Sequence, residues 1–464
     1  MGWIDRLFNN KEEEKKSAED VVSTHVPSTA PLLFEGLEGI RFGRYTDHNK
    51  SYRQMQSWYA AEDLFKEKKY TESFKAFFDY LGDENENNIH FNADGDKFTF
   101  DILQGSRMVH GECDGSYVIA QVPLARMEHP GTAIMRCLLA LNYTLYYSRT
   151  ALDAKNVLYM IFDTDVVSAN PNKMYAGLRE LSIKADRQDD LLLADFATLQ
   201  TIGNQHITPL PEHEVDIKYR YFRKWIEEVL AETDKLNQDS FSGAIAYMLL
   251  GTLYRIDFLM IPEAKLLADI EQIHAIYWEK KDELTLVERN QLMKDAMHKL
   301  LDITRDKFAA GIYRSTASFS MNVRAKTEKL RESINNANKD AAWYIDNKYP
   351  DIALRLNEYG VLYNHFISGM PRVLANLTLV YMAVMHADYF KDLGMKTPLY
   401  VTEIKEFDKS IIDEAVHKSI ASYKDKYAGM NWDNTRTSYQ SLYEFGTSFS
   451  EQMANLNLET KRER

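Results

Sequence analysis

The sequence predicts an α+β domain with an antiparallel sheet, followed by a large all-α domain. Three observations carry this expectation. Between residues 97 and 127, short runs with apolar residues at alternate positions are separated by "QGS" and "CDGS". On both sides of these runs, apolar residues recur at three- and four-residue spacing instead. From Glu212 onward, helical spacing continues with almost no strand-like run.

Residues 1–50 read as a tail and linker, partly extended, because a charge run is followed by "SAEDVVSTHVPSTA". Trp58, Ala61, Leu64 and Phe65, then Phe74, Phe77, Phe78 and Leu81, predict one long helix or two short ones. "KFTFDILQ", "RMVHGECD" and "SYVIAQVPLA" predict a three-stranded meander, with "HFNADGD" ahead of it as a further strand or a turn. Pro130 opens a helix through "GTAIMRCLLALNY", and "YTLYYSR" and "NVLYMIF" read as two more strands. Asn170 is placed to cap a following helix, with Pro171 in its first turn. "GNQHITPLPEHE" has two prolines and no period, so it divides an α+β domain over 51–205 from an all-helical domain over 212–458. Helical patterns in the second domain run near 212–236, 241–260, 263–280, 284–313, 322–345, 350–368, 371–392, 402–429 and 432–456.

The 464 residues carry a formal net charge of -13. That argues against nucleic acid as a partner, since such affinity rests on neutralising phosphates. Cys113 and Cys137 are the only cysteines, too few for a disulfide framework, so a reducing, cytoplasmic setting is expected. The N-terminus lacks the apolar stretch of a secretory signal. Trp3, Ile4, Leu7 and Phe8 share one helical face, which marks residues 3–8 as a candidate for peripheral membrane contact or docking. No integral membrane segment is expected. "FSGAIAYMLLGTLYRIDFLMI" contains Arg255 and Asp257, and "VLANLTLVYMAVM" is too short before His386.

Asp163 and Asp165 end the apolar run "LYMIFDTD" as Asp-x-Asp, which superficially resembles the start of a haloacid-dehalogenase-like phosphatase. There the first Asp attacks phosphorus, the second handles a proton, and Mg²⁺ bridges them. The chain lacks room for the parallel strands that would bring the remaining acids, so the pair reads first as a strand's end. Glu271 with His274, and Glu414 with His417, repeat the Glu-x-x-His spacing of metal-binding bundles. In both segments the pair falls outside the apolar arc or at its flank, so neither is expected to hold a metal. His365 and His386 lie in apolar segments and read as core histidines with one hydrogen-bond partner each. No dinucleotide, phosphate-loop, zinc-protease or serine-elbow motif occurs, and no cofactor is expected.

The order helix, three-strand meander, helix, two strands, helix resembles the type III secretion chaperone-like fold, including its YbjN-like relatives. The residues behind the resemblance are "AAEDLFKEKKYTESFKAFFDYL", "FTFDILQGSRMVHGECDGSYVIAQV", "TAIMRCLLALN", and "YTLYYSRTALDAKNVLYMIFDTDV" followed by "NKMYAGLRELSIKADRQDDLL". It covers about a third of the chain and leaves the helical region outside. The resemblance implies binding of protein segments, often through a homodimer, and no catalysis; it assigns no site residues. The leading expectation is therefore a non-enzymatic protein-binding module acting as chaperone, adaptor or assembly component. The alternatives are a metal-dependent phosphotransfer or hydrolytic enzyme using Asp163 and Asp165, and a structural subunit of a larger complex.

Overall fold

In the computed structural model, residues 33–44, 46, 50–83, 87–203 and 207–459 are described. Residues 3–8 therefore lie outside the described residues. An α+β region with an antiparallel sheet comes first, and a larger helical region follows.

Helices α1 (Tyr52–Lys66) and α2 (Tyr70–Leu81) form a hairpin, α1 opening on a capping box between Ser51 and Gln54. Lys68, left-handed at φ 62, turns the chain between them. The strands are β1 (Ile89–Asp94), β2 (Lys97–Gly105), β3 (Arg107–Cys113) and β4 (Tyr117–Met127). After α3 (Thr132–Thr144) come β5 (Ser148–Leu152), β6 (Val157–Asp165), α4 (Pro171–Asp195) and β7 (Leu199–Thr201). The sheet runs β1-β2-β3-β4-β6-β5, and "HFNADGD" is the hairpin joining β1 to β2. Asn170 caps α4 by accepting from the Lys173 N–H, with Pro171 in the first turn, as expected.

Strand alternation sends Phe98, Phe100, Ile102, Val118, Ala120, Met160 and Phe162 to one face, where α2 and α4 cover them. Gly177 interrupts the apolar pattern of α4 for a steric reason. A Cβ there would stand 2.4 Å from the Phe162 ring, so glycine lets helix and sheet close. The opposite face carries Tyr117, Ile161, Asp163, Arg149 and His110, half-buried or exposed.

One expected strand is displaced. "YTLYYSR" starts as the end of α3, and pairing with β6 begins only at Ser148. The reason lies in α4, whose Glu180 binds the backbone N–H groups of Tyr146, Tyr147 and Ser148. Those groups are consequently not ladder donors.

The helical region comprises α5 (Glu212–Asp234), α6 (Ser242–Met260), α7 (Ala264–Glu279), α8 (Leu286–Leu300), α9 (Arg305–Ala310), α10 (Thr327–Asp346), α11 (Pro350–Ile367), α12 (Arg372–Met385), α13 (Ala387–Asp392), α14 (Lys409–Ala421) and α15 (Leu442–Ala454). Helix α6 is long and apolar enough to cross a membrane by length and composition, yet 89% of that stretch is buried within the protein. Its charges are paired inside the bundle. Arg255 donates to both carboxylate oxygens of Glu358 (2.6 and 2.8 Å), and His386 Nε2 lies 3.2 Å from the same group. Trp225 covers the Arg255 guanidinium at 5.1 Å.

The two regions exchange segments. Residues 33–42, read from sequence as part of a tail and linker, insert Leu33, Phe34, Leu37, Ile40 and Phe42 into the helical core. Phe42 packs on Phe390, and the Lys396 N–H donates to the Glu35 carbonyl. In the other direction, a strap after α9 crosses to the sheet. Its strand β8 (Thr316–Ala317) extends the β1 side of β2 by pairing with Gly105 and Gln104, and Phe319 enters the sheet's core. Gln104 Oε1 accepts from the N–H groups of Ser318 and Phe319, which fixes the strap's register.

Candidate functional site

The sequence-derived candidates disperse. Asp163 lies on the open sheet face, where its two carboxylate oxygens are contacted by Arg149 and by the Tyr117 hydroxyl. Burial pushes its pKa up, but these hydrogen bonds and the Arg149 charge hold it below the ordinary value. Asp165 is exposed at the end of β6, directly before a 3-10 turn at Val166–Ser168. Glu271 faces α4 and pairs with Arg187, whereas His274 turns to the Tyr254 hydroxyl, 2.9 Å from its Nδ1. Burial drives His274 down to about 4, so its ring is neutral at pH 7. Glu414 and His417 are exposed, and Glu414 pairs with Lys418 at 2.6 Å. Among the described residues, no three His, Cys, Asp or Glu side chains are grouped to hold a metal ion. His365 sits 2.8 Å from the Thr378 hydroxyl, and His386 on Glu358.

Two other places combine chemistry with unusual exposure or burial. The first is the end of α3. This helix buries Ile134 and Leu138 and turns Leu139 (66% exposed) and Tyr143 (94%) to solvent. Tyr146 (91%) and Tyr147 follow immediately. Their backbone is clamped: Glu180 accepts from the N–H groups of Tyr146, Tyr147 and Ser148 and from the Ser148 hydroxyl, at 2.7 to 2.9 Å. Burial raises the Glu180 pKa, and those donors more than reverse it, leaving a carboxylate below its ordinary range. Asn142 Oδ1 also accepts from the Thr150 N–H at 2.7 Å. The N–H groups of Ser148 and Thr150 on edge strand β5 are thus occupied by side chains, which opposes strand addition there. Beside this edge Leu139, Tyr143, Tyr146 and Tyr147 form an exposed aromatic pad.

The second place is the junction of the two regions, a cavity of about 120 Å³. It is walled by residues 41–44 and 46, the end of β2, Asp186 of α4, α5, the strap and α12. Apolar Phe42, Met260 and Leu379 stand among charged Arg41, Arg44, Asp186, Glu214, Lys218, Glu263, Arg314 and Arg372. Arg44 Nε donates to Asp257 at 2.8 Å, and its Nη1 stands 3.4 Å from Glu263. Glu263 is raised to about 6 by burial, opposed by Arg44 and reinforced by Asp257 and Glu271. It is carried on a strained turn, because Ile261 and Ala264 both have left-handed backbones (φ 53 and 52). Glu214 receives Lys218 at 3.0 Å and Arg314 at 2.9 Å.

Sequence reasoning missed both places. Glu180 is an ordinary acid in a helical pattern, and its partners lie more than thirty residues upstream. Asp257 within the apolar stretch of α6 is the one local signal for the junction, since a buried carboxylate requires a partner. Comparison with known proteins found no matching family model, no matching curated protein and no matching solved structure.

Proposed function

We propose that the chain is a non-enzymatic protein-binding module, acting as chaperone, adaptor or assembly component, and that it engages its partner through the aromatic pad at the end of α3. The observation that carries this reading is the Glu180 clamp on the backbone of the exposed Tyr146 and Tyr147, beside the exposed Tyr143. Exposed single hydrophobic residues are common, but here Leu139 and Tyr143 on α3 are followed by Tyr146 and Tyr147, whose backbone N–H groups are held by the half-buried Glu180 carboxylate. Tyrosine supplies large contact area with little side-chain entropy to lose, and a fixed backbone lowers the ordering cost further. The net charge of -13 supports protein over nucleic acid as the partner.

Affinity capture from native extract tests the reading directly. The wild-type chain should recover the same protein repeatedly, and a Tyr143→Ser/Tyr146→Ser variant of unchanged fold should lose it. Recovery of nothing by the wild type, or equal recovery by the variant, would sink the proposal. The competing enzymatic reading places catalysis on Asp163. Turnover of a phosphate ester with added Mg²⁺ that is abolished by Asp163→Asn would favour it instead.

A further inference from the structure

The sheet has two edges, β5 and β1, and they are finished differently. At β5 the N–H groups of Ser148 and Thr150 are taken by Glu180 and Asn142. At β1 the hairpin to β2 closes on the pair Asp94–Lys97 across a turn at Gly95 and Asp96. In such a hairpin Asp94, Asn92 and His90 exchange hydrogen bonds with β2. The Leu103 N–H, which donates to the Asn88 carbonyl at 2.9 Å, continues the same parity. The N–H and C=O groups of Ile89, Phe91 and Ala93 therefore point away from the sheet, and among the described residues none of them has a hydrogen-bond partner. Strand β1 also lacks the devices that blunt an edge: it has no proline, no lysine and no bulge in its register with β2. The strap already uses this side of the sheet. Thr316 and Ala317 add to β2 just beyond the start of β1, where the Asn88 side chain donates to the Ser318 hydroxyl at 2.9 Å. A groove of about 880 Å³ opens beside Asn88, Ile89 and Phe91, lined also by α1, α2 and, from the helical region, Arg372 and Tyr423. Phe78 and Phe91 stack at 5.0 Å, and both line it.

We propose that β1 takes up an extended peptide segment of a partner protein as an added strand, with an apolar side chain of that segment lying on Phe78 and Phe91. The outward groups of β1 fix the backbone of the occupant, because alternate residues of an extended chain satisfy the N–H and C=O groups of Ile89, Phe91 and Ala93. Side-chain alternation fixes its chemistry. The residue opposite Phe91 projects to the Phe91 face and into the groove, onto two aromatic rings. Its neighbours in sequence project to the face of His90 and Asn92, which is exposed and polar. The six residues of β1 span about 20 Å, so a segment of similar length covers the edge. A single extended chain can enter a groove shared with the helical region, whereas a second copy would bring a whole folded sheet edge against Arg372 and Tyr423. This site goes beyond the aromatic pad, which lies beside the other edge of the sheet, and either can fail without the other.

Selection of a phage-displayed random peptide library on the full-length chain supplies the probes. The selected peptides, synthesised and labelled, should bind with a Kd of about 100 µM or tighter by fluorescence anisotropy. Methylating their backbone nitrogens one at a time should weaken binding by about tenfold at alternate positions and little at the positions between, the period of an added strand. Ala93→Pro removes one outward N–H and leaves the β1–β2 hydrogen bonds in place, and it should weaken the peptides by about fivefold or more. A Tyr143→Ser/Tyr146→Ser variant should bind them as the wild type does. A library that yields no binder overturns the proposal, as does a methylation scan without the alternation. So do peptides that bind Ala93→Pro equally well, or that are lost on the tyrosine variant. A wild-type dimer that Ala93→Pro dissociates overturns it too, because the edge then belongs to a second copy. Where circular dichroism shows that Ala93→Pro fails to fold, the methylation scan on the wild-type chain decides alone.

Discussion

The sheet region and the helical region handle charge in opposite ways. In the sheet region the core is aromatic and aliphatic, with Phe77, Phe78, Phe98, Phe100 and Phe162, the buried Arg107 guanidinium is met by the Pro123 and Ile202 carbonyls, and Asp163 and Glu180 act at the rim. In the helical region Arg255, Glu358 and His386 form a hydrogen-bonded group among core side chains, and Glu214–Lys218 and Arg44–Asp257 line the junction. Buried ion pairs contribute little net stability over an apolar core, but their directional bonds tolerate few alternative packings. The contrast teaches that the sheet region is organised by shape and the helical region by shape and charge together.

Removing one partner from each kind of pair gives the largest test. Glu358→Ala strands the Arg255 guanidinium and should lower unfolding stability by about 3–5 kcal/mol. Asp163→Ala, whose partner Arg149 is half-exposed, should lower it by about 1 kcal/mol or less. Chemical denaturation of both variants decides; equal losses would break the comparison.

Acid should act next, and unevenly. Burial holds His274 and His386 down at about 4, so each contributes stability that is present above 6.5 and lost as pH falls through about 4. The Glu180 and Asp163 contributions are lost only below their ordinary values of 4.5 and 3.8. Glu263 has the opposite sign: its contribution is present below 4.5 and lost as pH rises through about 6. Burial also holds His365 down at about 3 and raises Asp257, so with three such histidines against two such acids, amide exchange should show the helical region loosening first between pH 6.5 and 4. Uniform loosening of both regions would contradict this.

In the sheet region the sensitive variable is volume. A Cβ at Gly111 would stand 2.0 Å from the Phe100 ring, so Gly111→Ala should cost about 1–3 kcal/mol by thermal or chemical unfolding. Glu180→Gln should cost about 1 kcal/mol and raise amide exchange at Tyr146 to Ser148, leaving the helical region unaltered. Smallest of all, Tyr143→Ser should change stability by no more than about 0.5 kcal/mol while still reducing partner capture.

Much of the sheet region was legible because its rules are local. Alternation placed Phe98, Phe100 and Ile102 on one face, and Asn170 with Pro171 marked the start of α4. The helices of the second region were legible from spacing, except that the 284–313 and 371–392 patterns each divide in two, and the α-helix fills only Lys409–Ala421 of 402–429 and Leu442–Ala454 of 432–456. What escaped depends on distant partners. Nothing near Tyr146 announces Glu180, and nothing in "LQGS" or "YRSTASF" announces that residues 316–319 complete a sheet two hundred residues earlier. The acids at 163 and 165 looked informative for the converse reason, since their neighbours in space were hidden from a local reading.

The exchange of segments also sets an order of events during synthesis. Leu33, Phe34 and Phe42 leave the ribosome early, but Phe390 and the backbone of Lys396, on which they settle, are made far later. At about 5–20 residues per second the interval is on the order of tens of seconds. For that time a greasy hook travels ahead of its eye, and the newborn chain is most exposed to chaperones and proteases.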